Sequence, residues 1–138
     1  MRILGVDHGE RRIGLAISDM LGIVAQPLGV LNVTSPAEAV ELIRKVTQEN
    51  AVERIVVGLP LNMDGSEGAQ AKAARQFASL LKDELSAPVD MQDERLSTVR
   101  AERAMLDADM TRAKRERRRD KMAAQFILQA YLDRRGAV

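Results

Sequence analysis

The segment Arg54-Ile55-Val56-Val57-Gly58 constrains this 138-residue chain more than any other. Three consecutive β-branched residues favour a strand. Successive strand side chains point to opposite faces, so this run is apolar on both faces and must be covered on both. Such a strand belongs in the middle of a sheet with helices packed above and below it.

The rest of the chain supplies those neighbours. Arg2 to Val6 is a short apolar run ending at Asp7 and reads as a strand. Arg12 to Ser18, with Ile13, Leu15 and Ile17 alternating, reads as a second strand. His8-Gly9-Glu10-Arg11 is then a hairpin turn, with Gly9 available for a positive φ. Val24 to Leu31 is a third strand, and Pro27 within it predicts an edge position. Ser35-Pro36-Ala37-Glu38 starts a helix, with Ser as N-cap, Pro at the first position and Glu completing a capping box. Ser66 is expected to cap a second helix running to about Leu85, and Pro88 to Met91 forms a fifth strand. A helix is expected from Ser97 to about Asp109, and a last one from about Arg118 to Arg134. The order is β-β-β-α-β-α-β-α-α. Three strands can meander antiparallel, and crossover-linked strands then pair in parallel. The predicted class is α/β, a five-stranded mixed sheet flanked by helices, in one domain over residues 1–138.

Composition removes several kinds of chemistry. The chain has no cysteine, hence no disulfide, thiolate metal site or cysteine nucleophile. His8 is the only histidine, so a zinc site built on several histidines is excluded. A Ser-His-Asp triad would have to use His8, which has no serine nearby in sequence. Neither a P-loop nor a G-x-G-x-x-G fingerprint is present. No apolar run approaches the roughly 18 residues of a membrane span. Asp7 comes too early for a signal peptide, so a cytoplasmic protein is expected. With only Phe77, Phe126 and Tyr131 as aromatics, base stacking on aromatic platforms is disfavoured.

Charge is divided sharply along the chain. Residues 1–110 carry 12 basic and 17 acidic side chains, a net of −5, whereas residues 111–138 carry 9 and 3, a net of +6. Arg112, Lys114, Arg115, Arg117, Arg118 and Arg119 place six cations in eight positions. A solvated helix face is the plain reading of such a run; a polyanion partner is the functional one.

The acids suggest what that end of the molecule does. Asp7 stands where an apolar strand meets a glycine turn, as a turn-former or as a metal ligand on a rigid element. Asp120 falls on the stripe of Ala124, Ile127, Leu128 and Tyr131, four to eleven residues back from each. A carboxylate on that line needs a cation or a metal, unless it simply serves the helix dipole. Asp93-Glu94 follows the fifth strand directly and can supply a third carboxylate. Asp19 and Asp64 read as turn residues. Oxygen-only ligands select Mg²⁺ or Mn²⁺, which suit attack of water on a phosphodiester. The loop from Gly58 to Ser66 follows a central strand, where open α/β sheets bind ligands. Asn62 and Ser66 are its candidates for a substrate phosphate.

These residues carry a resemblance. Asp7-His8-Gly9-Glu10-Arg11-Arg12-Ile13-Gly14-Leu15-Ala16 resembles the D-x-G-x-[KR]-R-I-G-x-A opening of the YqgF family, Holliday-junction-resolvase-like proteins regarded as pre-16S ribosomal RNA nucleases. Gly58 to Ser66, Asp93 to Thr98, and Asp120-Lys121-Met122-Ala123-Ala124 running on to Gln129 match further blocks in the same order. The resemblance implies an RNase H-like fold, with Asp7, Glu94 and Asp120 as catalytic and metal-binding acids and Mg²⁺ or Mn²⁺ as cofactor. It implies processing of the 5′ end of pre-16S rRNA on a pre-ribosomal particle. The nucleic-acid contacts are then Arg11, Asn62, Ser66 and the six cations of the basic run. A DNA junction resolvase and a non-cutting RNA-binding assembly or transcription factor are the alternatives. One departure is plain: resolvases of this superfamily often carry an acid at the end of the fourth strand, and this chain has Gly58-Leu59-Pro60.

Overall fold

The computed structural model describes residues 1–95 and 111–136, and leaves the side chains of 112–121 undescribed. The elements are β1 (Ile3–Asp7), β2 (Arg12–Ser18), β3 (Ala25–Asn32), α1 (Pro36–Glu49), β4 (Arg54–Leu59), α2 (Ala69–Glu84), β5 (Val89–Asp93) and α3 (Arg112–Gly136). The helix expected over 97–109 lies outside the described residues.

The five strands form one mixed sheet in the order β3-β2-β1-β4-β5. β2 pairs antiparallel with both β1 and β3, while β4 pairs parallel with β1 and with β5. Pro27 does sit on an edge strand, as its missing N–H requires.

Both faces are covered, as the doubly apolar β4 demands. Ile55 and Val57 pack with Leu4, Val6, Ile43, Phe77 and Leu81 on the α1/α2 face. Val56 joins Ile3, Ala16, Ala124, Leu128 and Tyr131 on the α3 face. Gly5 lets α3 approach the sheet: a Cβ there would stand 2.7 Å from Leu128 Cβ and 3.1 Å from the Ala124 carbonyl. The carboxyl half of α3 lies over the strand beginnings, with the Arg135 guanidinium against Met1 Sδ and the Tyr131 hydroxyl donating to Asp90. The helix therefore runs antiparallel to β1, and its basic first half points toward the carboxyl ends of β1, β4 and β5.

Four local expectations are corrected. The turn after β1 does not use Gly9 for a positive φ, which occurs among the described glycines at Gly22, Gly29 and Gly65. Gly9 is needed because a side chain there would collide with the Arg12 carbonyl oxygen. α2 starts at Ala69 with Gly68 as N-cap, so Ser66 does not cap it. β5 runs on to Asp93 rather than stopping at Met91. The last helix begins at Arg112 rather than 118, so the basic run is part of the helix and does not precede it. Arginine and lysine are good helix formers, and that propensity prevails over local repulsion.

Candidate active site at the carboxyl edge of the sheet

Strand alternation sorts the candidate acids. Ile3 and Gly5 face α3, so Asp7, two further on, stands on that face at the end of β1, half-buried. Asp90, bonded to Tyr131 of α3, fixes the same face for β5, which puts Gln92 and Glu94 there too. Asp93 takes the opposite face. Its carboxylate accepts from the Arg95 backbone N–H at 2.8 Å and from the Arg95 guanidinium at 3.2 Å. Of the adjacent pair, Glu94 is thus the acid on the α3 side, and it is 2% exposed.

Register brings Asp7 and Glu94 toward each other. Val6 pairs with Val57, so Asp7 and Gly58 follow side by side on neighbouring strands. Gly58 pairs in turn with Gln92. The Glu94 N–H donates to the Leu59 carbonyl at 3.2 Å, the last rung of the parallel β4–β5 ladder, so Glu94 continues the alternation of β5. Glu94 Oε2 then lies 3.2 Å from where a Cβ on Gly58 would stand. The carboxylate of β5 thus occupies space above β4, about one strand spacing of 4.8 Å from the line of β1 and Asp7.

Asp120 lies in α3, four residues before the buried Ala124 and so on the same helical line, at the end of the helix nearest this edge. Its side chain is outside the described set, as are those of Arg112, Lys114, Arg115, Arg117, Arg118 and Arg119. Among the described residues no group of three or more His, Cys, Asp or Glu is placed to hold a metal. Of the three candidate acids Asp7 and Glu94 are the two whose side chains are described, and both give oxygen donors of the kind a hard divalent cation takes.

The β4–α2 loop sits at the same edge and is held by its own polar groups. Asn62 Nδ2 donates to Ser66 Oγ at 2.9 Å, and Ser66 Oγ donates to Asp64 Oδ1 at 2.6 Å. The Ser66 N–H also donates to Asp64 Oδ1, at 2.9 Å. These bonds hold the Asp64 carboxyl below its ordinary value, the Ser66 hydroxyl first and the Ser66 N–H second. Gly65 turns the chain at φ +89° with the Arg95 guanidinium against it, tying this loop to the end of β5. Asn62 and Ser66 are exposed, so their service to the loop leaves their outer surfaces accessible. Arg11 is exposed in the β1–β2 turn, and its carbonyl accepts from Val33 N–H at 2.9 Å. Asp19 accepts from Ile23 and Val24 N–H at 2.6 and 3.0 Å, the turn role its sequence implied.

Sequence reasoning missed two participants. His8 follows Asp7 and turns to the other face, where it stacks on Phe77 with centroids 4.7 Å apart. Burial lowers its pKa, with Glu10 opposing as the smaller influence. Gly58 reads in the sequence as the end of the central strand and the start of a loop, without an acid. Its role as the floor beneath Glu94 depends on a contact between residues 36 positions apart, which no local motif reports.

Comparisons with known proteins give the family and the fold. A family model described as RuvX, Holliday junction resolvase, matches residues 1–134. The chain belongs to the RuvX family. Relatives of this RuvX chain include a protein of Clostridium novyi, 50% identical over 133 residues, covering 96% of this chain and 98% of its own length. Another, from Pelotomaculum thermopropionicum, is 48% identical over 137 residues, covering 99% of this chain and 89% of its own length. Both carry the name "Putative pre-16S rRNA nuclease". Among solved structures, Thermus thermophilus RuvC with a Holliday junction aligns at TM-score 0.54 and 16% identity, over 99% of this chain and 96% of RuvC. The Fowlpox virus resolvase in its junction complex aligns at 0.56 and 11%, over 97% and 98%. The likeness establishes the RNase H-like fold for this RuvX chain. Among the described residues no helix is long and apolar enough to cross a membrane.

Proposed function

We propose that this RuvX chain is a metal-dependent endonuclease that processes the 5′ end of pre-16S ribosomal RNA in the cytoplasm, on or beside a pre-ribosomal particle. What supports the reading is that Asp7 ends β1 on the α3 face, beside Gly58, and that the Glu94 carboxylate lies over Gly58 on that same face. They stand where an RNase H-like sheet presents ligands. Relatives about half identical over nearly the whole chain bear the name of a pre-16S rRNA nuclease, which supports RNA over DNA as substrate.

Asp7, Glu94 and Asp120 are the proposed ligands. Mg²⁺ or Mn²⁺ held there would polarise the attacking water and neutralise charge on the scissile phosphate. Asp7 sits on a strand with buried neighbours, so its carboxylate starts from a fixed backbone position. Glu94 is withdrawn from bulk water, which strengthens its attraction for a cation. Arg11, Asn62 and Ser66 at this edge, with the cations carried by the first half of α3, are the proposed contacts for the RNA backbone.

The test is cleavage of a pre-16S 5′-leader RNA and of a four-way DNA junction, each with Mn²⁺, by wild type, Asp7→Asn and Glu94→Gln. RNA cleavage that falls at least 100-fold in each variant supports the reading. Cutting of the junction alone would reassign the chain as a resolvase. Tight RNA binding with no cutting in any protein would make it an assembly factor.

A further inference from the structure

We infer a second nucleic-acid contact: an open groove between α2 and the edge strand β5 that seats one nucleotide of the RNA strand flanking the cleavage site. This rests on the nuclease reading above and adds a site remote from the carboxylates and from the basic run of α3.

The groove encloses about 200 Å³ and is lined by Arg75, Ala78, Ser79, Lys82, Val89 and Met91. Its floor is apolar, made by Ala78, Val89 and Met91. Its rim carries two cations and a hydroxyl. That division matches one nucleotide unit, with sugar and base against the floor and phosphate at the rim. The volume is below the roughly 300 Å³ at which sites enclose a free small molecule. An open slot of this size suits a residue of a continuous strand.

Helical spacing makes the rim a track. Lys72, Arg75, Ser79 and Lys82 recur at intervals of three and four, on one face of α2. From Lys72 to Lys82 the helix rises about 15 Å. These cations lie within residues 1–110, whose net charge is −5, so their grouping runs against the local composition. The exposed Arg75 pairs with Glu67, which is partly exposed. An exposed pair of this kind is worth at most about 1 kcal/mol, so a phosphate can displace the carboxylate.

The track leads to the candidate site. α2 begins at the carboxyl edge, and Met91 packs against Leu59, Leu61 and Ala71 there. Met91 is three residues before Glu94, about 10 Å along the strand. Among the described residues β5 is the last strand of the sheet, so an RNA strand leaving Glu94 on the α3 face can pass around this edge to α2.

The experiment measures binding of a fluorescent 30-nucleotide pre-16S leader RNA in EDTA across a salt series. Wild type is compared with the double variant Arg75→Gln/Lys82→Gln, with melting temperature as the folding control. Arg75 and Lys82 stand about 10 Å apart along α2 and so face the two phosphates that flank the seated nucleotide; losing both contacts should reduce the magnitude of the log K against log salt slope by about 1.4 and weaken binding about tenfold or more at low salt. The exchange Arg75→Lys/Lys82→Arg should keep the slope, and Met91→Ala should weaken binding without changing it. An unchanged slope in the double variant overturns the groove while leaving the nuclease reading intact. No RNA binding by wild type sinks both. Saturable binding of AMP alone, abolished in the double variant while RNA binding is unaffected, would make the groove a free-nucleotide site and overturn its place on the RNA path.

Discussion

Glu94 Oε2 lies 3.2 Å from the point where a side chain on Gly58 would begin. β4 thus offers an empty floor at the position where related resolvases often carry an acid, and β5 fills the space above it with a carboxylate. Gly58 is constrained twice, because the same Cβ would come within 2.5 Å of Ile127 Cδ1.

Gly58→Ala should therefore damage stability and chemistry by separable routes. The clash with Ile127 is overpacking, which costs about 1–3 kcal/mol and should appear as a drop of several degrees in melting temperature. Gly58→Ala/Ile127→Val removes the colliding methyl and should recover part of that loss. The contact with Glu94 remains, so RNA cleavage should stay at least tenfold below that of Ile127→Val alone. Cleavage restored together with stability would show that Gly58 serves packing only.

A second cluster, at the opposite end of the sheet, sets a pH-dependent part of stability. Asp90 accepts from the Tyr131 hydroxyl and from Arg54 Nη1 at 2.7 Å. These partners lower the Asp90 pKa below its ordinary 3.8, Tyr131 more than Arg54. Tyr131 moves up from 10.0, through burial first and its bond to Asp90 second. A depressed carboxyl favours the fold above pH 3.8, and that contribution is lost as pH falls through the folded value. A raised phenol favours the fold below pH 10.0, and that contribution is lost as pH rises through its folded value. Tyr131→Phe should cost about 1 kcal/mol at neutral pH and flatten urea midpoints on both the acid and the alkaline limb. A variant curve parallel to wild type at both ends would dissociate this cluster from the pH response.

How much of this was readable from sequence depends on the range of the interactions. Ser35 Oγ accepts from the Glu38 N–H at 3.2 Å, and Glu38 reaches back to the Thr34 N–H at 3.1 Å, so that helix start was legible within five residues. The β1–β2 hairpin and the central β4 were equally local, fixed by alternation and by a doubly apolar run. Ser66 looked like a cap, but its hydroxyl is committed to Asp64, and the helix starts beyond Gly68. The start of α3 lies six residues before the Arg118 that the sequence suggests, because the apolar stripe that marks the helix begins only beyond the basic run. Asp7 and Glu94 stood out as acids at strand ends. Their approach across Gly58 needs the parallel register of three strands, which sequence periodicity does not encode.

His8 gives a further acid-sensitive element beside the candidate site. Its stacking on Phe77 buries the ring and lowers its pKa from 6.5. The unfolded chain then binds the proton more readily than the folded one. The neutral ring favours the fold above pH 6.5, and that contribution is lost as pH falls from 6.5 through the folded value. His8→Phe keeps a ring against Phe77 but cannot titrate. Its urea midpoint should fall less than that of wild type between pH 7 and pH 5. Equal losses would place the acid sensitivity of this region elsewhere.

The basic run yields the sharpest separation of grip from chemistry, because it lies on a helix of known direction. Continuing the line of Ala124, Ile127, Leu128 and Tyr131 back along α3 reaches Arg117 and Asp120. Arg115 and Arg119, one turn apart, lie off that series in the sequence. Arg115→Gln/Arg119→Gln should lower the magnitude of the RNA-binding salt slope by about 1.4, with a similar loss of affinity for RNAs of different sequence. At saturating RNA its cleavage rate should stay within a fewfold of wild type, whereas Asp120→Asn should lose at least 100-fold. Asp120→Asn should leave the salt slope in EDTA nearly unchanged, since no phosphate contact is removed. If the arginine variant instead loses cleavage at saturation while keeping its slope, this part of α3 acts on the scissile phosphate itself and does not hold the flanking strand.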